Sequence, residues 1–160
     1  MIEKEINLIT REGFEELQEK LHRLQTAERK SVVEEIERAR GFGDISENAE
    51  FTYAQERQEQ LESKIGEMVE FMKTCTVVDT FTGRDPDEGV VFGGSATILN
   101  LDTESSVSYR IVGVTESDPG EGKISYKSPM GRELLGKKIG DEFDLVTPRG
   151  ESSWEVLEIR

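Results

Sequence analysis

Apolar residues follow two rhythms along this chain, and the change between them falls near residue 75. Phe14, Leu17, Leu21 and Leu24 are spaced by 3, 4 and 3 residues, and Val33, Ile36 and Ala39 resume the stripe. A second stripe runs through Ala54, Leu61, Ile65, Met68 and Met72, with Gln58 as a polar interruption. Narrow 3/4-spaced stripes predict two helices meeting along a coiled-coil seam rather than a broad core face. The first helix has a readable start: Thr10 can cap it, and Ile9 and Phe14 hold the two positions of a hydrophobic staple. Taken over 11–40, at a rise of ~1.5 Å per residue, it would be about 45 Å long. A connection of about seven residues then requires antiparallel packing. Neither helix buries its stripe alone. The second stripe supplies the partner of the first, so a monomer is expected; a dimer through Leu17, Leu21 and Leu24 is the alternative.

After Cys75 the spacing becomes strand-like. Thr76–Thr80 reads as a strand and Thr82–Gly89 as a turn or linker, followed by strand-like runs at Ser95–Leu101, Val107–Thr115, Phe143–Thr147 and Ser153–Ile159. One short helix interrupts them: Ser128 suits its cap, Pro129 its first position and Gly136 its end. The expected fold class is α+β, with a helical hairpin over 1–75 and a small, mainly antiparallel sheet with one helix over 76–160.

Composition narrows the function classes. An apolar fraction of 34% is low for one compact core but suits a rod plus a modest globule. With 34 acidic residues against 20 Lys and Arg, the net charge of −14 opposes binding to bare nucleic acid, so any nucleic-acid role is local or passes through a protein partner. Cys75 is the only cysteine, which rules out an internal disulfide. No apolar run reaches the ~18 residues of a membrane span, and Met1–Glu5 is no signal peptide, so a cytoplasmic protein without membrane contact is expected. The lone histidine, His22, lies in the first helix well away from the turn between the helices and reads as a solvated helix residue.

The turn between the helices, 41–48, carries the candidate chemistry. Asp44 and Glu47 stand three apart, with Gly41 and Gly43 tightening the turn, Phe42 and Ile45 adding apolar groups, and Arg38, Arg40 and Arg57 flanking it. The local reading is that Asp44 caps the second helix and Glu47 closes a capping box. The functional reading is that acids at the point, with cations behind them, suit a metal ion beside a phosphodiester. The arginines also fit as i,i+4 partners of helix glutamates, such as Glu34 with Arg38, each pair worth only about 0.2–0.5 kcal/mol.

The run Gly43-Asp44-Ile45-Ser46-Glu47-Asn48-Ala49-Glu50-Phe51 closely resembles the tip motif of the bacterial Gre transcript cleavage factors. Asn100–Asp102, Tyr109–Gly113, Gly122–Ser125 and Ser128–Lys137 resemble the same family in order and spacing, so the likeness runs from Leu8 onward. It is closer to the GreA type than to GreB, whose balance is more basic. Ile45 stands where leucine is usual and Phe51 where tyrosine is usual, which removes a hydroxyl but no carboxylate.

The resemblance implies an N-terminal antiparallel coiled coil and a C-terminal domain similar to the FKBP fold. It implies that the globule docks on RNA polymerase, with Ser128 and Pro129 at a docking position, and that the coil enters the secondary channel. There Asp44 and Glu47 would share a Mg²⁺ with the polymerase, Asp44 helping to hold the metal and Glu47 positioning water. The polymerase would then cut the 3′ end of backtracked RNA, near which Arg38 and Arg40 would lie. The factor itself is then not an enzyme, and the metal is not stably bound by the free protein. Three alternatives remain at this point: a binding-only channel inhibitor, a prolyl isomerase with a pocket among Tyr109, Tyr126, Phe143 and Trp154, and a coiled-coil chaperone.

Overall fold

A computed structural model describes residues 6–43, 48–79 and 86–160. Two compact units emerge from the contacts: Phe14–Thr74, and a second unit that joins the N-terminal residues up to Gly13 with Cys75–Arg160. The division is thus not the two consecutive segments 1–75 and 76–160 suggested by the spacing of apolar residues. The reason is a short strand, β1 (Asn7–Thr10), which pairs in parallel with β2 (Cys75–Val78) in the register Asn7↔Cys75.

The first unit is an antiparallel helical hairpin. The chain is helical from Arg11 to Arg40, as α1 (Arg11–Arg23), a π-helical stretch (Leu24–Glu28) and α2 (Arg29–Arg40), and returns as α3 (Ala49–Thr74). Val32, Leu61 and Ile65 form the buried seam, with Leu21, Leu24, Ile36 and Val69 packed against it. Ion pairs cross it in antiparallel order: Arg29 Nε to Glu62 at 2.8 Å, and Arg57 to both Glu35 and Glu28, the latter at 3.5 Å.

The π stretch corrects the sequence reading at one position. Val32, not Val33, is the seam residue: Val32 is buried and Val33 is 41% exposed. In the π stretch the Arg29 N–H donates to the Leu24 carbonyl, five residues back. One extra residue per turn shifts the stripe by one position, so the seam steps by five from Leu24 to Arg29 before resuming 3/4 spacing.

The second unit is built on a five-stranded sheet in the order β5-β4-β3-β7-β6, from β3 (Ser95–Asn100), β4 (Ser105–Val112), β5 (Lys123–Ser125), β6 (Glu142–Thr147) and β7 (Gly150–Ile159). Within this sheet every pairing is antiparallel except β4 with β5. Helix α4 (Pro129–Leu134) delivers the fully buried Leu134 to a core containing Ile98, Ile111 and Val156. A bulge opposite Thr97 and Ile98 leaves Leu157 without a cross-strand partner in the register with β3, which accounts for an exposed leucine inside a strand. The run expected to continue to Thr115 stops at Val112, where a single 3-10 turn, Val114–Glu116, begins.

That turn organises the start of α1. Glu116 accepts hydrogen bonds from the Thr10 N–H at 3.1 Å, the Gly113 N–H at 2.8 Å and the Thr10 hydroxyl. Thr10 Oγ1 in turn accepts from the Gly13 N–H at 3.1 Å, as expected of a cap. Arg11 pairs with Asp79 and Glu12 with Arg110, and each arginine holds its partner's carboxyl below the usual carboxylate range.

Candidate functional site

The candidate site is the turn end of the hairpin, and the structure supplies its frame on both sides. Helix α2 closes with the N–H groups of Gly41 and Phe42 donating to Arg38 and Ala39 carbonyls at 3.1 and 3.3 Å. Gly43 has φ of +124°, a conformation that L side chains rarely adopt, so the turn needs glycine there. Gly41, at φ −71°, is under no such demand. Asp44 and Glu47 lie outside the described residues.

On the far side the cap of α3 is Asn48. Its Oδ1 accepts from the N–H groups of Glu50 and Phe51 at 3.1 and 3.2 Å, and its Nδ2 donates to the Ala39 carbonyl at 2.5 Å. One side chain thus caps one helix, satisfies the end of the other and fixes the width of the turn. The signal was available in the sequence: asparagine directly before the periodic apolar positions Phe51, Ala54 and Leu61 is a helix-start pattern.

The flanking cations separate into different environments. Arg57 is committed to Glu35 and Glu28, and its hydrogen bond to Glu35 raises its already high pKa. Arg38 is exposed, and its Nε reaches the Glu34 main-chain carbonyl at 3.4 Å. Arg40 lies 5.8 Å from the centroid of Phe51, whose ring is buried where a tyrosine is usual in the motif. Arg38 lines a groove of about 620 Å³ with Phe42, Tyr53 and Ala54, whereas Arg40 lines a different groove of about 220 Å³ with Ile36 and Gln55. The two arginines therefore do not share a groove.

Ser128 and Pro129 sit where the sequence places them, at the start of α4. Ser128 Oγ accepts from the Gly131 N–H at 3.1 Å and donates to the Ser125 carbonyl at 2.6 Å, and Pro129 is the first helical residue. The four aromatics weighed for an isomerase pocket belong to the sheet core: Phe143 is buried in it, and Tyr109, Tyr126 and Trp154 pack against it. His22 is exposed on α1. Among the described residues no group of three or more His, Cys, Asp or Glu side chains could hold a metal ion. No helix among them is long and apolar enough to cross a membrane.

A helical hairpin in one unit and a five-stranded mixed sheet in the other define an α+β protein. The family description "Transcription elongation factor, N-terminal" matches residues 7–77, and "Transcription elongation factor, GreA/GreB, C-term" matches residues 85–160. "Transcription elongation factor GreA" of Wolinella succinogenes is 44% identical over 92% of this chain and 90% of that protein. That of Syntrophobacter fumaroxidans is 44% identical over 95% and 96%. Among solved structures, GreA factor homolog 1 of Thermus thermophilus is 21% identical with a TM-score of 0.43, covering 98% of this chain and 99% of that one. The chain belongs to the GreA/GreB family of transcription elongation factors. It is a transcription elongation factor that stimulates transcript cleavage, and factors of this family act on RNA polymerase rather than being hydrolases themselves; the binding-only inhibitor is not favoured.

Proposed function

We propose that this chain carries Asp44 and Glu47 through the secondary channel of RNA polymerase and lends them to the polymerase's own cleavage of backtracked RNA 3′ ends. The observation that carries this reading is Asn48. Its carboxamide caps α3 and reaches the Ala39 carbonyl at the end of α2, so it frames from both sides the segment of sequence that carries the acids. Membership of the GreA/GreB family, with the motif acids Asp44 and Glu47 lying in sequence between those helix ends, supports their use in another protein's active centre.

The donor set fits Mg²⁺, which takes hard oxygen ligands and commonly only one or two carboxylates, so Asp44 and Glu47 would hold it jointly with polymerase carboxylates. When bound there, the ion supplies Lewis acidity and a more acidic water. Within that arrangement Asp44 serves chiefly as a ligand and Glu47 orients the attacking water through a hydrogen bond. Arg38 and Arg40 contact the phosphates of the extruded RNA, each from its own groove. Ser128 and Pro129, besides starting α4, mark the surface that docks on polymerase. The factor works as a monomer in the cytoplasm, its seam filled by its own two helices.

The test uses stalled, backtracked elongation complexes with RNA labelled at the 5′ end, in Mg²⁺. RNA shortening is compared for the wild type, Asp44→Ala, Glu47→Ala and no factor, with polymerase binding measured in parallel. Shortening with the wild type, abolished in variants that still bind, is the expected result. A wild type that binds without shortening the RNA would refute the reading and leave a channel-blocking factor.

A further inference from the structure

The groove beside the turn holds two aromatic side chains that no packing requirement explains. Phe42 is 74% exposed and Tyr53 is 67% exposed, at the end of a hairpin whose surface is otherwise mostly charged. Both line the groove of about 620 Å³, together with the small, buried Ala39 and Ala54. Large exposed aromatics cost solubility, so a pair in one groove points to a flat, apolar occupant.

The charges at the rim narrow that occupant. Arg57 is neutralised by Glu35 and Glu28, so its contribution is structural. Arg38 brings an exposed guanidinium whose Nε reaches a main-chain carbonyl at 3.4 Å. Glu50 also lines the groove and is exposed, so the phosphate is placed on the Arg38 side: an aromatic platform with an arginine at its edge lets the ring stack on an unpaired base while the guanidinium meets the phosphate. Stacking needs no basic surface, which removes the objection raised by a chain of net charge −14. In sequence the groove brackets the two acids, with Phe42 two residues before Asp44 and Tyr53 six after Glu47.

We infer that this groove seats a base of the unpaired RNA 3′ segment, with Tyr53 as the principal stacking platform, Phe42 as a second apolar wall and Arg38 on the adjoining phosphate. The inference rests on the proposed delivery of Asp44 and Glu47 to backtracked RNA. Tyr53, Phe42 and Arg38 are positioning residues: they hold the nucleotide still while the acids act.

Backtracked complexes are prepared with either a normal or an abasic nucleotide in the extruded RNA segment. Cleavage rate and factor affinity are measured for wild type, Tyr53→Ala and Tyr53→Phe. With the normal base, Tyr53→Ala is expected to lose about tenfold, the scale of one base–aromatic stack, and Tyr53→Phe to retain wild-type behaviour. With the abasic nucleotide, wild type is expected to fall to the level of Tyr53→Ala and the variant to lose nothing more. If Tyr53→Ala loses equally with both RNAs, the groove meets polymerase protein and the inference is overturned. If Tyr53→Ala matches wild type on both RNAs, the groove seats nothing in the complex and the inference again fails. A wild type that binds but does not cleave refutes the delivery of acids, and the affinity measurements then still decide whether base and Tyr53 are coupled.

Discussion

Replacing Gly13 with alanine should destabilise the sheet-bearing unit, although glycine-to-alanine changes in helices ordinarily stabilise. Gly13 lies in the first turn of α1 and is buried. A Cβ there would stand 2.5 Å from Cγ of Glu116 and overlap its carboxyl group. That side chain cannot swing aside freely, because it accepts from the Thr10 N–H, the Thr10 hydroxyl and the Gly113 N–H. Hydrogen bonds to a charged group contribute about 1.5–3 kcal/mol each. Losing one of the three, set against the ~1 kcal/mol that alanine gains over glycine in a helix, leaves a net loss of about 0.5–2 kcal/mol. For a domain of this size that lowers Tm by roughly 2–16 °C.

Gly66 provides the control. It lies inside α3 with nothing within 4 Å of the place an added methyl group would take, so Gly66→Ala should stabilise the hairpin by about 1 kcal/mol. The single tryptophan, Trp154, reports on the sheet unit by fluorescence, and far-UV circular dichroism reports on the helices. In the double variant Gly13→Ala with Glu116→Ala the two losses should fall well short of additive, because the clash disappears with its partner. A Gly13→Ala protein as stable as wild type by Trp154 fluorescence would refute the reasoning.

The shifted seam predicts that Val32→Ala costs the hairpin about 2 kcal/mol while Val33→Ala stays within about 0.5 kcal/mol, measured by thermal melts of the helical signal. Asn48→Ala should cost about 1 kcal/mol or more, since it removes the cap of α3 and the bond to Ala39 together, and amide exchange should quicken at Glu50 and Phe51. Glu12 and Asp79 have depressed pKa values in the folded state, so the stability they add is present above the ordinary values of 4.5 and 3.8 and is lost as pH falls below them. Denaturant midpoints of the sheet unit between pH 6 and pH 3 should show this loss, and Glu12→Gln should flatten the upper part of it.

Both helices of the hairpin and the strands around residues 95–112 and 142–159 are legible from spacing alone, because each has enough residues to establish a period. The seam residue after Leu24 is not, since an inserted π turn leaves no mark in composition and moves the stripe by one position. Strand β1 escapes because four residues cannot show alternation and its partner lies at residues 75–78. The Glu116 hub is hidden for a related reason: it joins residues 106 apart in sequence. At the turn, Asp44 and Glu47 are legible through the motif, and Phe42 stands out as an apolar residue where a polar one is expected. Tyr53 does not, because an isolated tyrosine on a helix looks the same whether it faces a groove or open solvent. The separation of Arg38 from Arg40 also requires the helix phase, which two residues of spacing alone do not reveal.

The parallel pairing of β1 with β2 sets an order of events during synthesis. Strand β1 is made before the hairpin, and its partner is translated more than sixty residues later. At about 5–20 residues per second it waits for several seconds with its ladder unmet. The hairpin has no such delay between its halves, because its contacts grow outward from a short turn. Once zipped, the hairpin returns the chain to its own beginning and removes most of the entropy cost of bringing Asn7–Thr10 to Cys75–Val78. The hairpin is thus also the template that brings β1 and β2 together, and a slow or misregistered zip would leave an unpaired strand on the nascent chain.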